Sequence, residues 1–274
     1  MKNIMNNWRK FSEQTLDEMA NPFYGILMDP EQVSKELATP EGAQKVAALI
    51  EDIRQKGWLG PIREYSTKYG VPLEFLLGVV IDEQMRAFGG KPQLQKSDLG
   101  DNILAYLDPA GTSVGASQIE PNTFYHLIVT QNFRPKRLKD DLLRELLIHS
   151  DLTGWVGTTA QYSPLTRELA HEISSVLRAD PLLAIECVAK ILSYHRDEWA
   201  RVKGLEDWTK TYDAWEVYAY GFSRGMEGET GVRRGMVDPE ARVARGLPRS
   251  PGASARGRGI GQIATIARDK LKDI

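Results

Sequence analysis

Residues 72–87 read Pro72-Leu73-Glu74-Phe75-Leu76-Leu77-Gly78-Val79-Val80-Ile81-Asp82-Glu83-Gln84-Met85-Arg86-Ala87, with Gly70 before them and Gly89-Gly90 after. A proline fits the first turn of a helix, where its missing N–H is no loss, and glycines past the last turn end one. Phe75, Leu76, Val79, Val80 and Ile81 leave almost no polar face, so this helix is predicted to be central. At its far end the apolar run meets Glu83. Desolvation of a carboxylate in such a place favours the protonated acid. A carboxylic acid that keeps its proton near neutrality is what glycosidic bond cleavage requires, because the leaving oxygen must be protonated. Glu83 is therefore the candidate catalytic residue. The competing reading is a helix-edge carboxylate paired with Arg86 or with solvent.

Helices are also predicted on both sides of this run. Thr39-Pro40-Glu41 has the cap-then-proline form of a helix start, Val46, Leu49, Ile50 and Ile53 follow at helical spacing, and Gly57 stops the run. Pro61 opens a short helix to Tyr69. Further on, helices are predicted over 123–130 after Pro121, over 138–148 with Leu142, Leu143, Leu146 and Leu147 on one side, and from Ser163-Pro164 to about 177. Asp180-Pro181 repeats the start signal before a long helix over 182–201, and a last core helix covers about 207–219 and ends at Gly221. Clear β alternation is scarce. The expected fold is mostly α, with at most a small β element inside 89–120, where Gly, Pro, Asp, Asn and Ser are scattered among few apolar residues.

Three parts are expected: a lead-in segment over 1–40 with a helical piece near 8–19, a helical domain over 41–226, and a tail over 227–274. The tail holds seven arginines (233, 234, 242, 245, 249, 256 and 258) against Asp238 and Glu240 within 231–259. It is rich in Gly and Pro and poor in large apolar residues, a composition that cannot offset its ordering entropy by burial. A flexible segment with a short terminal helix over 260–271 is the expectation, free to contact an anionic polymer or nucleic acid through charge alone.

The whole chain gives no such electrostatic signal. Its 35 basic and 37 acidic residues nearly cancel over 274 positions. The 42% hydrophobic content is ample for a core, yet the most apolar run, 75–81, is far shorter than the roughly 20 residues that span a bilayer. The one cysteine, Cys187, rules out an internal disulfide and sits in an apolar run, as a buried structural thiol would. Residues 1–11 lack the apolar stretch and cleavage site of a secretory signal. The expectation is synthesis in the cytoplasm.

Two further places carry chemistry. Ser113-Val114-Gly115-Ala116-Ser117-Gln118-Ile119-Glu120-Pro121-Asn122-Thr123 delivers Ser and Gln side chains from a glycine-containing turn just before a proline-started helix. It offers donors and acceptors to a polar ligand, and its glycine lets that ligand approach closely. A plain loop-to-helix junction is the competing reading. Tyr218-Ala219-Tyr220-Gly221 places tyrosines at the end of the last core helix, where they can stack on a sugar face or fill the core.

In this order the pieces resemble the lytic transglycosylases and goose-type lysozymes of the lysozyme-like superfamily. These set a Glu at the end of an apolar helix, follow it with a Ser–Gly–Gln-Ile–Pro–Thr signature and close with a Tyr-Asn-x-Gly turn. Glu83, then Ser113, Gly115, Gln118-Ile119, Pro121 and Thr123, then Tyr220-Gly221 keep that order across residues 61–225. The spelling around Gly115 resembles a divergent branch, and a phage-encoded protein fits it. The resemblance implies a lysozyme-like helical domain in which Glu83 is general acid and then base on the β-1,4 bond between N-acetylmuramic acid and N-acetylglucosamine. Ser113, Gly115, Gln118 and Ile119 would hold the sugar and Tyr220 would line the cleft. A transglycosylase needs no second carboxylate, whereas a hydrolase needs a way to activate water, for which Asp98, Asp101 and Asp108 are the loop candidates. The partner would be peptidoglycan, reached after release, injection or as part of a virion.

The long interval from Glu83 to Ser113, and Gly221 where the family carries asparagine, point toward an alternative. It is a non-catalytic protein of the same fold that binds cell wall or builds a virion. No cofactor or metal is expected, because His126, His149, His171 and His195 show no ligand spacing and are read as exposed or helix-face residues. The glycines at 257, 259 and 261 follow no strand, so they do not form a nucleotide fingerprint.

Overall fold

The computed structural model describes residues 35–88, 117, 119–153, 165–224, 243–244 and 255–272, and of 86–88, 220–224 and 255 the backbone alone. Among these the chain is mostly helical, with nine α-helices of ten residues or more, one turn of 3-10 helix, and no strand beyond a bridge residue at Ile119. The helices are α1 (Pro40–Gln55), α2 (Leu59–Tyr69), α3 (Leu73–Phe88), α4 (Pro121–Thr130), α5 (Asp140–Thr153), α6 (Arg167–Ala179), α7 (Pro181–Ala200), α8 (Tyr212–Arg224) and α9 (Ala255–Leu271). No described helix is long and apolar enough to cross a membrane. The predicted helical piece near 8–19, the loop over 89–116 and most of the segment 227–254 lie outside the described residues.

Local chemistry accounts for most helix ends. Thr39 caps α1, its hydroxyl accepting from the Gly42 N–H at 3.1 Å, and Pro40 follows at the first helical position. Gly57 and Gly70 close α1 and α2 with φ of 70° and 61°, the left-handed region that a Cβ would strain. Asp180 caps α7 through the N–H groups of Leu182 and Leu183, as predicted. The cap of α6 is Thr166, which accepts from Leu169 N–H, so the helix starts after the predicted Ser163-Pro164 signal.

The predicted central helix is central. Every residue from Phe75 to Met85 is buried, and α3 touches α1, α2, α7, α8 and α9. One hydrophobic cluster includes side chains from all nine helices. Cys187 lies fully inside it, where burial pushes its thiol well up, as a structural thiol would show.

Three features differ from expectation. Helix α8 does not stop at Gly221 but runs on to Arg224. Nothing in Phe222-Ser223-Arg224 breaks a helix, and Gly221 keeps helical backbone instead of turning left-handed. Tyr218 is fully buried, its hydroxyl donating to the Thr209 carbonyl at 3.2 Å, so it fills the core rather than facing a ligand. His195, read as a helix-face residue, is 3% exposed inside the core.

The third difference is the terminal helix. It begins at Ala255 rather than 260, and it lies against α3, α8 and α1 as part of the main core, with Ile260, Ile263, Ala264 and Ala267 all buried. Of its glycines, Gly261 lies close against Glu216, whereas a Cβ at Gly259 would meet open space. On the α3 side the contact depends on Gly78. A Cβ there would stand 3.1 Å from the Ile260 carbonyl oxygen and 3.2 Å from Ile260 Cγ2. Gly78→Val is expected to destabilise the fold by about 1–3 kcal/mol through overpacking, read as a lower urea midpoint. An unchanged midpoint would mean that α3 and α9 are not this close in solution.

Candidate functional site

Three carboxylates are buried among the described residues: Asp82, Glu83 and Glu186. Glu186 is held between α7 and α2, accepting from Lys68 Nζ at 2.7 Å and from the Tyr69 hydroxyl at 2.9 Å, which gives it a structural task. Asp82 and Glu83 lie side by side near the end of α3, and both meet Arg256 of α9. Arg256 Nε donates to Asp82 Oδ2 at 2.9 Å, and Nη2 reaches Asp82 Oδ2 at 2.8 Å and Glu83 Oε1 at 2.5 Å. The Asp82 side chain is 1% exposed and that of Glu83 12%, so Asp82 anchors the cluster inside and Glu83 stands at its rim. Burial works against the charge of Arg256, but the two carboxylates more than offset it and hold its pKa above the usual value.

The side chain of Arg86 lies outside the described residues, and among these Arg256 is the cation that contacts Glu83. Solvent does not cover Glu83, and the contacting cation comes from the segment read as a free basic tail. Nothing in the sequence near Glu83 announces a partner 173 positions away. The only local signal is that Arg256 precedes a run, 260–271, already read as helical. A guanidinium in contact favours the ionised form of a carboxylate, the opposite of what an acid needs for its first step.

The other predicted residues are unevenly placed. Ser113, Gly115 and Gln118, and the loop candidates Asp98, Asp101 and Asp108, lie outside the described residues. Ile119 is 2% exposed and belongs to the core cluster, so its side chain packs. Ser117 is fully buried, and Pro121 starts α4 as predicted. Position 220 falls within α8. That helix runs antiparallel to α9, since the Tyr212 hydroxyl donates to the Gly261 carbonyl and meets Thr265 Oγ1, while Glu216 packs against Gly261. One more turn of α8 brings the backbone of Tyr220 to the level of Arg256, the end of the seam where Glu83 lies.

The sequence reading also passed over Glu216. Burial, with Asp213 adding to it and Arg258 offsetting part, pushes this carboxyl up to about 7. Between Trp215 and Val217 it carried no visible mark, because Arg258 and Gly261 approach from a distant helix. His195 is shifted the other way, down to about 4 by burial. The folded chain denies His195 a proton that the unfolded chain accepts, so this contribution is lost as pH falls from about 6.5 toward 4. Folded Glu216 keeps a proton that the unfolded chain releases, so its contribution is lost as pH rises from about 4.5 through 7. The two oppose each other. His195→Gln should leave a stability that declines with rising pH across this window, and Glu216→Gln one that climbs. Parallel slopes in the two variants would contradict these assignments.

No protein-family model, curated protein or solved structure matches the chain.

Proposed function

We propose that the chain is a peptidoglycan-cleaving glycosidase, a lytic transglycosylase or muramidase, with Glu83 as general acid and then base on the β-1,4 bond between N-acetylmuramic acid and N-acetylglucosamine. The observation that supports this most is the position of Glu83. It sits near the end of the most enclosed helix, beside a carboxylate wholly inside the core, and keeps 9% of its own surface open. A rigid helix fixes its direction, and the rim position leaves it a path to a ligand.

In the transglycosylase form, the Glu83 carboxylic acid protonates the glycosidic oxygen as the bond to C1 breaks, releasing the N-acetylglucosamine hydroxyl. The muramyl 6-hydroxyl then attacks C1, and the Glu83 carboxylate takes its proton. An anhydro sugar results and the acid is restored. In the hydrolase form water replaces the 6-hydroxyl, and the product carries a reducing end.

The Arg256 contact favours a second reading, a non-catalytic protein of lysozyme-like fold that binds cell wall or serves as a virion component. A carboxylate held in an ion pair suits a structural cluster as well as a resting acid. Digestion of purified sacculi with mass analysis of the soluble fraction separates these readings. Release of anhydro-muropeptides supports a transglycosylase and release of reducing ends a muramidase. Retention on sacculi with nothing released would end the glycosidase reading.

A further inference from the structure

We propose that Arg256 is a positioning residue of the Glu83 site, whose guanidinium governs when Glu83 carries a proton. This rests on the reading of Glu83 as the acid, and it gives the terminal helix a task beyond filling the core.

The geometry divides the guanidinium unequally. Asp82 receives both Nε and Nη2 on one oxygen, whereas Glu83 receives Nη2 alone. Asp82, 1% exposed, is the anchor that keeps the cation in place. Glu83 is the partner whose contact with Arg256 a small shift would break. The cation is also fixed from its own helix. Ile260 lies against Gly78, and Gly261 and Thr265 meet the Tyr212 hydroxyl. Arg256 is thus aimed by a packed helix and not by a mobile side chain alone. The described charged contacts of the Glu83 cluster are Asp82 on its own helix and Arg256 on α9. Further along the seam come Arg258 of α9 and Glu216 and Asp213 of α8.

A contacting guanidinium stabilises the carboxylate and so delays uptake of the proton that bond cleavage consumes. In the arrangement seen, Glu83 is ready to act as base and restrained as acid. Loosening the Nη2 contact while Asp82 keeps its grip would arm the acid without unfolding the cluster.

The test uses the full-length chain with 13C-labelled glutamate carboxyls, the Glu83 signal being assigned by its loss in Glu83→Gln. Carboxyl titrations are followed in the wild type, Arg256→Gln and Arg256→Lys, alongside pH–rate profiles on purified sacculi. The Glu83 midpoint should rise by about one pH unit or more in Arg256→Gln. Arg256→Lys should restore most of the difference, and the alkaline limb of the rate should move with the titration. A Glu83 midpoint identical in the wild type and a folded Arg256→Gln variant would overturn the proposal. If Arg256→Gln fails to fold, Arg256→Lys decides, because an ammonium cannot reproduce the fork and some displacement is required. A displaced midpoint with no turnover in any protein would retire the glycosidase reading and leave the hold of Arg256 on Glu83 standing.

Discussion

Arg256→Met should cost the fold about 3–5 kcal/mol, the range for removing one partner of a buried ion pair. Methionine keeps much of the aliphatic stem, so the loss reports on charge more than on volume. Two neighbouring carboxylates, one wholly enclosed, would be left in the core without the guanidinium that both now contact. The loss should shrink in acid, where a carboxyl deprived of its cation can take up a proton. Arg256→Met combined with Asp82→Asn should recover part of the stability, because one of the stranded charges is gone. Urea denaturation of the single and double variants gives the comparison. A loss below about 1 kcal/mol, typical of an exposed pair, would mean that water reaches this cluster freely.

The helices were legible because their signals are local. Thr39-Pro40, Gly70, Asp180-Pro181 and the apolar run around Val79 each act within a few residues, and each does in the structure what its chemistry implies. Arg256 was not legible as a partner of Glu83, because a contact across the core leaves no trace in periodicity. The terminal helix was underestimated for a related reason. Its glycines lower helix propensity, and only the neighbouring helices, with Gly78 facing Ile260 and Glu216 facing Gly261, show why bare backbone is needed there. Gly221 misled in the opposite sense. A glycine after tyrosine resembles the family's turn, but its neighbours carry the helix onward. Of the candidate site, the sequence pointed to Glu83 as the proposed acid, and it missed Arg256, which contacts that residue.

Glu83→Gln should lower the rate of glycan cleavage by about two to four orders of magnitude, the usual contribution of a positioned acid–base group. Glutamine has nearly the same shape, and its amide oxygen can still accept from Arg256, so the fold should survive. Removing one of two negative charges beside a single guanidinium leaves the Asp82–Arg256 pair intact, so the loss of stability should stay well below that of Arg256→Met. Activity and stability are thereby uncoupled at this position. At Arg256 they are not, since its replacement alters both the core and the acid.

The decisive measurement is the rate of soluble muropeptide release from purified sacculi by the wild type and by Glu83→Gln, with unfolding midpoints taken on the same preparations. Cleavage by the wild type and its loss in a variant that unfolds at nearly the same denaturant concentration is the predicted result. Equal release by the two proteins would remove Glu83 from the chemistry and contradict the account.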